Sequence, residues 1–177
     1  MMEEAAKDLS IALEEGPGAN ERICVVAGEE ESERASLLGR FSREAKERGW
    51  LVLNETATPG FLSRISSRIA VELSTQEEIP QENTCIFRSV LEEFLAQKYP
   101  RGVFIALDKE ENCNPEEISQ FAVTVQHLVR QDAEIAVAIA GTSSIIKSLL
   151  SASTKDGQPR QTTFLRRAEK IVLTASN

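Results

Sequence analysis

The sequence predicts an α/β domain: a parallel five-stranded sheet with helices on both faces. Two observations carry that expectation. Five short apolar runs, Arg22 to Ala27, Trp50 to Leu53, Gly102 to Leu107, Ile135 to Ala140 and Lys170 to Leu173, have the length of strands. Longer segments between them bring apolar residues round at helical spacing. Strands apolar throughout, separated by helices that each bury one stripe, belong to a parallel sheet covered on both sides.

The elements follow in order. Residues 3 to 15 read as a helix with Ala5, Leu9, Ile11, Ala12 and Leu13 on one side, stopped by Gly16, Pro17 and Gly18. The first strand ends at Gly28, and a polar loop to Ser32 opens a helix over 33 to 48 with the stripe Leu37, Leu38, Phe41 and Ala45. Trp50 reads as a packing residue at the start of the second strand. Pro59 suits a first helical turn, ahead of Phe61, Leu62, Ile65, Ile69 and Leu73. Residues 74 to 83 read as a surface loop before a helix carrying Ile86, Phe87, Val90, Leu91, Phe94 and Leu95. The third strand ends in Asp108. Pro115 starts a long helix with Ile118, Phe121, Ala122, Val125, Leu128 and Val129. The fourth strand closes at Gly141, Thr142 to Leu150 forms a short helix, and 151 to 161 reads as a loop. Phe164 to Ala168 supplies one helical turn before the last strand.

At 177 residues, 41% hydrophobic and 27% charged, the chain suits one domain over residues 1–177. A net charge of −8 argues against nucleic-acid or anionic-membrane binding. No apolar run reaches the ~20 residues of a membrane span, and the acidic N-terminus has no signal-peptide character. Cys24, Cys85 and Cys113 stand far apart and outside any CxxC pair, as reduced cytoplasmic thiols do. Cys24 reads as a core residue; Cys85 and Cys113 read as exposed thiols. His127, the sole histidine, has no partner at metal-ligand spacing and gives no general-base geometry.

In open parallel sheets ligands bind beyond the carboxyl ends of the strands. Gly28 to Ala35, Asp108 to Glu111 and Gly141 to Ser144 occupy such ends. Strand, loop and helix at the first is the layout of a phosphate-binding loop, G-x-x-x-x-G-K-[ST]. The equivalent positions read Gly28, Glu29, Glu30, Glu31, Ser32, Glu33, Arg34, Ala35. Arg34 replaces the lysine, Glu33 the second glycine, and Ala35 has no hydroxyl for magnesium.

Here the chain resembles the AAA+ branch of P-loop ATPases, specifically bacterial ATP-binding proteins related to the origin-recognition ATPases, with degenerate Walker motifs. The resemblance runs through ALEEGPGA, GWLVLNETATPGFLSRI, VQHLVRQ, AIAGTSS and FLRRAEKIVL, nearly the whole chain. It implies a P-loop NTPase-like three-layer sandwich with sheet order 5-1-4-3-2, without the family's helical lid. It also implies ATP at the first loop, by family position on Gly28, Arg34, Ala35, Asp108 and Thr142, with Mg2+ on Asp108. Lys109 stands where a water-activating glutamate belongs; Glu110 serves only if the loop is redrawn. Arg166 or Arg167 matches the arginine that reaches a neighbouring subunit's nucleotide.

Electrostatics weighs on the loop. A helix N-terminus attracts an anion by up to ~2 kcal/mol. One like-charge contact at ~4 Å costs roughly 4 kcal/mol at an effective dielectric of 20. Glu29, Glu30, Glu31 and Glu33 supply several such charges. Three readings follow: Ser32 capping the helix with the glutamates complementing its dipole, residual nucleotide binding, or a divalent cation on Glu30, Glu31 and Asp108. Arg166 and Arg167 read equally as a solvated pair. The expected function is an AAA+ core kept as a scaffold or protein-interaction module, binding or hydrolysing ATP poorly, with a protein partner or a second copy. The alternative is an ATP-binding ATPase with slow or partner-dependent hydrolysis through Arg34, Asp108 and Glu110.

Overall fold

The computed structural model describes residues 1–73, 85–97, 101–109, 113–151, 165 and 167–174. Five parallel strands form its sheet in the order β2-β3-β4-β1-β5: β1 (Ile23–Ala27), β2 (Leu51–Thr56), β3 (Val103–Asp108), β4 (Ile135–Gly141) and β5 (Glu169–Val172). This is the expected 5-1-4-3-2 order, seen from the other edge. The helices are α1 (Met2–Glu15), α2 (Glu31–Glu47), α3 (Phe61–Glu72), α4 (Cys85–Leu95), α5 (Pro115–Arg130) and α6 (Ser143–Ser151).

Alternate strand residues face opposite layers. Ile23, Val25, Val103, Ile105, Leu107, Ile135, Val137 and Ile139 pack with residues of α3 to α6, around Phe61, Phe87 and Phe121. Cys24, Val26, Phe104 and Ala106 pack with α1 and α2. On that face β4 presents only Ala136, Ala138 and Ala140, and the space goes to Phe41 of α2, whose ring meets Phe104 edge-on at 6.5 Å. Small strand residues on one side and large ones on the other thus fix which helices come close.

Several local expectations change. Helix α2 begins at Glu31 with Glu30 as N-cap and no side-chain capping bond, so Ser32 lies inside the helix rather than capping it. Glu31 and Glu33 in its first turn complement the positive helix end instead. Pro59 precedes α3 rather than entering its first turn. Gly60 is the N-cap, at φ 87°, and its N–H donates to a Glu117 carboxylate oxygen at 2.8 Å. Ile11 is 44% exposed, because α1 turns Ala6, Leu9, Ala12 and Leu13 inward. Cys113 is buried rather than exposed. By contrast Asn114 caps α5 through Glu116 N–H, with Pro115 in the first turn as read from the sequence. Cys24 is buried, and that burial, with Glu169 second, pushes its thiol up to about 12. Of the loop expected at 151–161, Ser151 instead ends α6 and the rest lies outside the described residues, as do the expected loop at 74–83, Phe164 and the side chain of Cys85.

Candidate functional site

The register of the strands assembles the corner. Ala27 pairs with Gly141 and Asp108 with Ala140, so Gly28, Asp108, Lys109 and Thr142 leave the same carboxyl edge side by side. Only residues 28–30 separate β1 from α2. Residues that the phosphate-loop motif leaves in the loop are here wound into the helix.

Gly28 N–H donates to Gly141 O at 3.0 Å, and Leu173 N–H donates to Ala27 O at 2.7 Å. A Cβ on Gly28 would lie 3.0 Å from the Leu173 side chain, so any larger residue there would press on Leu173. Arg34, one turn into α2, folds back and is 9% exposed. Its Nη1 donates to Gly28 O at 2.8 Å and Glu29 O at 3.1 Å, and its Nε donates to Asp108 Oδ1 at 3.2 Å. The loop therefore turns carbonyl oxygens toward a guanidinium. A phosphate cradle turns N–H groups toward an anion. Asp108, 21% exposed at its side chain, is Arg34's countercharge.

The glutamates do not converge. Glu29 Oε1 accepts the Ser143 N–H at 3.0 Å, satisfying the start of α6. The Ser143 hydroxyl and amide together hold the Glu29 carboxyl below its ordinary range. Thr142 Oγ1 accepts the Ile145 N–H at 3.3 Å, so the hydroxyl placed at the nucleotide by family position serves here as a helix cap. Glu30, Glu31 and Ala35 are exposed on the outer side of the helix start. Among the described residues no three or more His, Cys, Asp or Glu are grouped as a metal site needs, and Glu30, Glu31 and Asp108 are not brought together. Physically, Asp108 is turned to Arg34 while the two glutamates stay in solvent.

Arg167 is exposed just before β5, at the opposite edge of the sheet. Glu110 and Arg166 lie outside the described residues. His127 is half-buried beside Glu92, 3.5 Å from its carboxylate, and beside Arg88. Sequence reasoning missed the two functions most evident at the corner, Glu29 capping α6 and Arg34 binding its own loop. An arginine one turn into a helix that follows a loop with a single glycine is the signal for the second.

The architecture is that of the α/β P-loop NTPase-like fold. No protein-family model and no curated protein matches the chain. Solved structures do. Cdc6p from Pyrobaculum aerophilum superposes with a TM-score of 0.65 at 16% identity, over 96% of this chain and 44% of that one. The Aeropyrum pernix ORC2 protein, in ADPNP-ADP complexes, gives 0.57 at 15%, over 97% and 46%. A replication initiator DnaA bound to AMPPCP and single-stranded DNA gives 0.56 at 16%, over 96% and 45%. The chain thus spans less than half the length of each of these three. No helix among the described residues is long and apolar enough to cross a membrane.

Proposed function

We propose that this chain is an AAA+-type core domain whose nucleotide corner has been closed by its own arginine, and that it works as a scaffold or protein-interaction module rather than as an ATPase. The observation that carries the reading is the Arg34 guanidinium held on Gly28 O, Glu29 O and Asp108. A triphosphate entering there would meet two carbonyl oxygens, would have to separate a mostly buried ion pair, and would find no hydroxyl on Ala35 for magnesium. The residues present do not fit Mg–ATP. Lys109 in place of a water-activating acid removes a general base as well.

Residues 1–177 form one such domain in this reading, cytoplasmic and acting through a protein partner or a second copy. The net charge of −8 disfavours a phosphate backbone as the partner of this surface. A second reading, an ATP-binding protein with slow turnover, rests on Asp108 and Thr142 meeting at the same corner and on the nucleotide complexes of the ORC2 and DnaA neighbours.

Titration calorimetry with Mg–ATP and Mg–ADP at low ionic strength separates the two. The scaffold reading expects no saturation up to millimolar nucleotide. Saturation at micromolar concentration overturns it and calls for a turnover assay.

A further inference from the structure

A cavity of about 380 Å³ opens at the amino edge of the sheet, away from the Arg34 corner, between the segment 17–23, the end of α5 and the start of β5. Its apolar walls are Ile23, Val129, Ala133, Ile135 and Ala168. Asn20 and Gln126 add hydrogen-bonding groups. Among the described residues three arginines line it, Arg22, Arg130 and Arg167, and no acidic side chain does.

That lining is unexpected in a chain with a net charge of −8. Arg22 is already neutralised: its Nη1 donates to Glu134 Oε2 at 2.6 Å, and its other nitrogens donate to Ala12 O and Leu13 O. Arg130 and Arg167 are exposed, and neither makes an ion pair or hydrogen bond with any described residue. Among the described residues, two guanidinium forks without a countercharge therefore flank an apolar floor. Guanidinium pairs select planar or tetrahedral oxyanions, and two of them balance a dianion. The volume lies within the ~300–1,000 Å³ of small-molecule sites.

We propose that this cavity binds a small phosphate monoester, its phosphate between Arg130 and Arg167 and its flat apolar body against Ala133 and Ile135. The proposal concerns the opposite edge from the nucleotide corner and stands whether or not that corner binds ATP.

Phenyl phosphate carries both required parts and is the probe. Calorimetric titration at low ionic strength is expected to show saturable binding at one site, at least tenfold tighter than inorganic phosphate. Arg130→Gln with Arg167→Gln should weaken it at least tenfold. Ala133→Phe, which fills the floor and keeps both charges, should do the same. Arg40→Gln, on the exposed face of α2, and Arg34→Gln should leave it unchanged, with circular dichroism verifying the fold of each variant. Failure to saturate, equal weakening by Arg40→Gln, persistence in Ala133→Phe, or loss in Arg34→Gln would each overturn the pocket.

Discussion

Each edge of the sheet buries one arginine, and the two are held in different ways. At the amino edge Arg22 is 3% exposed and saturated: Ala12 O and Leu13 O at the end of α1, the Glu134 carboxylate ahead of β4, and the Trp50 ring 5.0 Å from its Cζ. Gly102 stands beside them, where a Cβ would come within 2.5 Å of Glu134 O and 2.7 Å of the Trp50 ring. At the carboxyl edge Arg34 holds one short loop and one aspartate. The first arginine ties its own segment to the end of α1 and to the more distant Trp50 and Glu134. The second plugs a corner. A buried cation thus serves architecture at one end of the strands and, at the other, sits at the carboxyl end, where open parallel sheets in general receive ligands.

Removing the two arginines' contacts should rank accordingly. Arg22→Ala leaves two buried carbonyls and a carboxylate without their donor, and should cost about 3 kcal/mol in urea unfolding. Asp108→Ala should cost about 1–2 kcal/mol, because it leaves the mostly buried Arg34 without its countercharge. Its place at a strand end would by itself make Asp108 dispensable; its pairing with Arg34 is the reason to expect otherwise. If Asp108→Ala proves as costly as Arg22→Ala, the two edges are equally structural and the contrast fails.

The smallest effect concerns Glu29, which is fully exposed. Its carboxyl is held below the ordinary value of 4.5 by Ser143. A folded-state value below the unfolded one stabilises the fold fully above the unfolded value, and the contribution disappears as pH falls through the folded one. Glu29→Gln should therefore lower stability slightly at neutral pH and flatten the acid limb of the unfolding profile beneath 4.5. An unchanged acid limb would show that α6 is capped without it.

Much of the fold was legible because a buried parallel sheet leaves a local record. Strands such as Val103–Asp108 and Ile135–Gly141 are apolar at every interior position, and the stripes of α2 and α5 repeat at helical spacing. The corner was legible only in outline. Gly28, Asp108 and Thr142 could be placed at strand ends, but Arg34 meets Asp108 across 74 residues and Glu29 meets Ser143 across 114. No local pattern encodes such pairs. The start of α2 was misplaced for a subtler reason. Ser32 has the chemistry of a cap, yet acidic residues in a first turn suit the helix end equally well, and the helix took them in.

The order of the strands also bears on how the chain comes into being on the ribosome. Strand β1 is complete by residue 27, but its two neighbours are β4, which begins at residue 135, and β5, which begins at residue 169. Until β4 emerges, the sequence Ile-Cys-Val-Val-Ala has both hydrogen-bonding edges open, an apolar strand waiting for distant partners. Pairing at such separation is slow, and exposed strands of this kind are where nascent chains associate wrongly. A strand paired on both sides in the finished sheet is thus the one that waits longest for its partners.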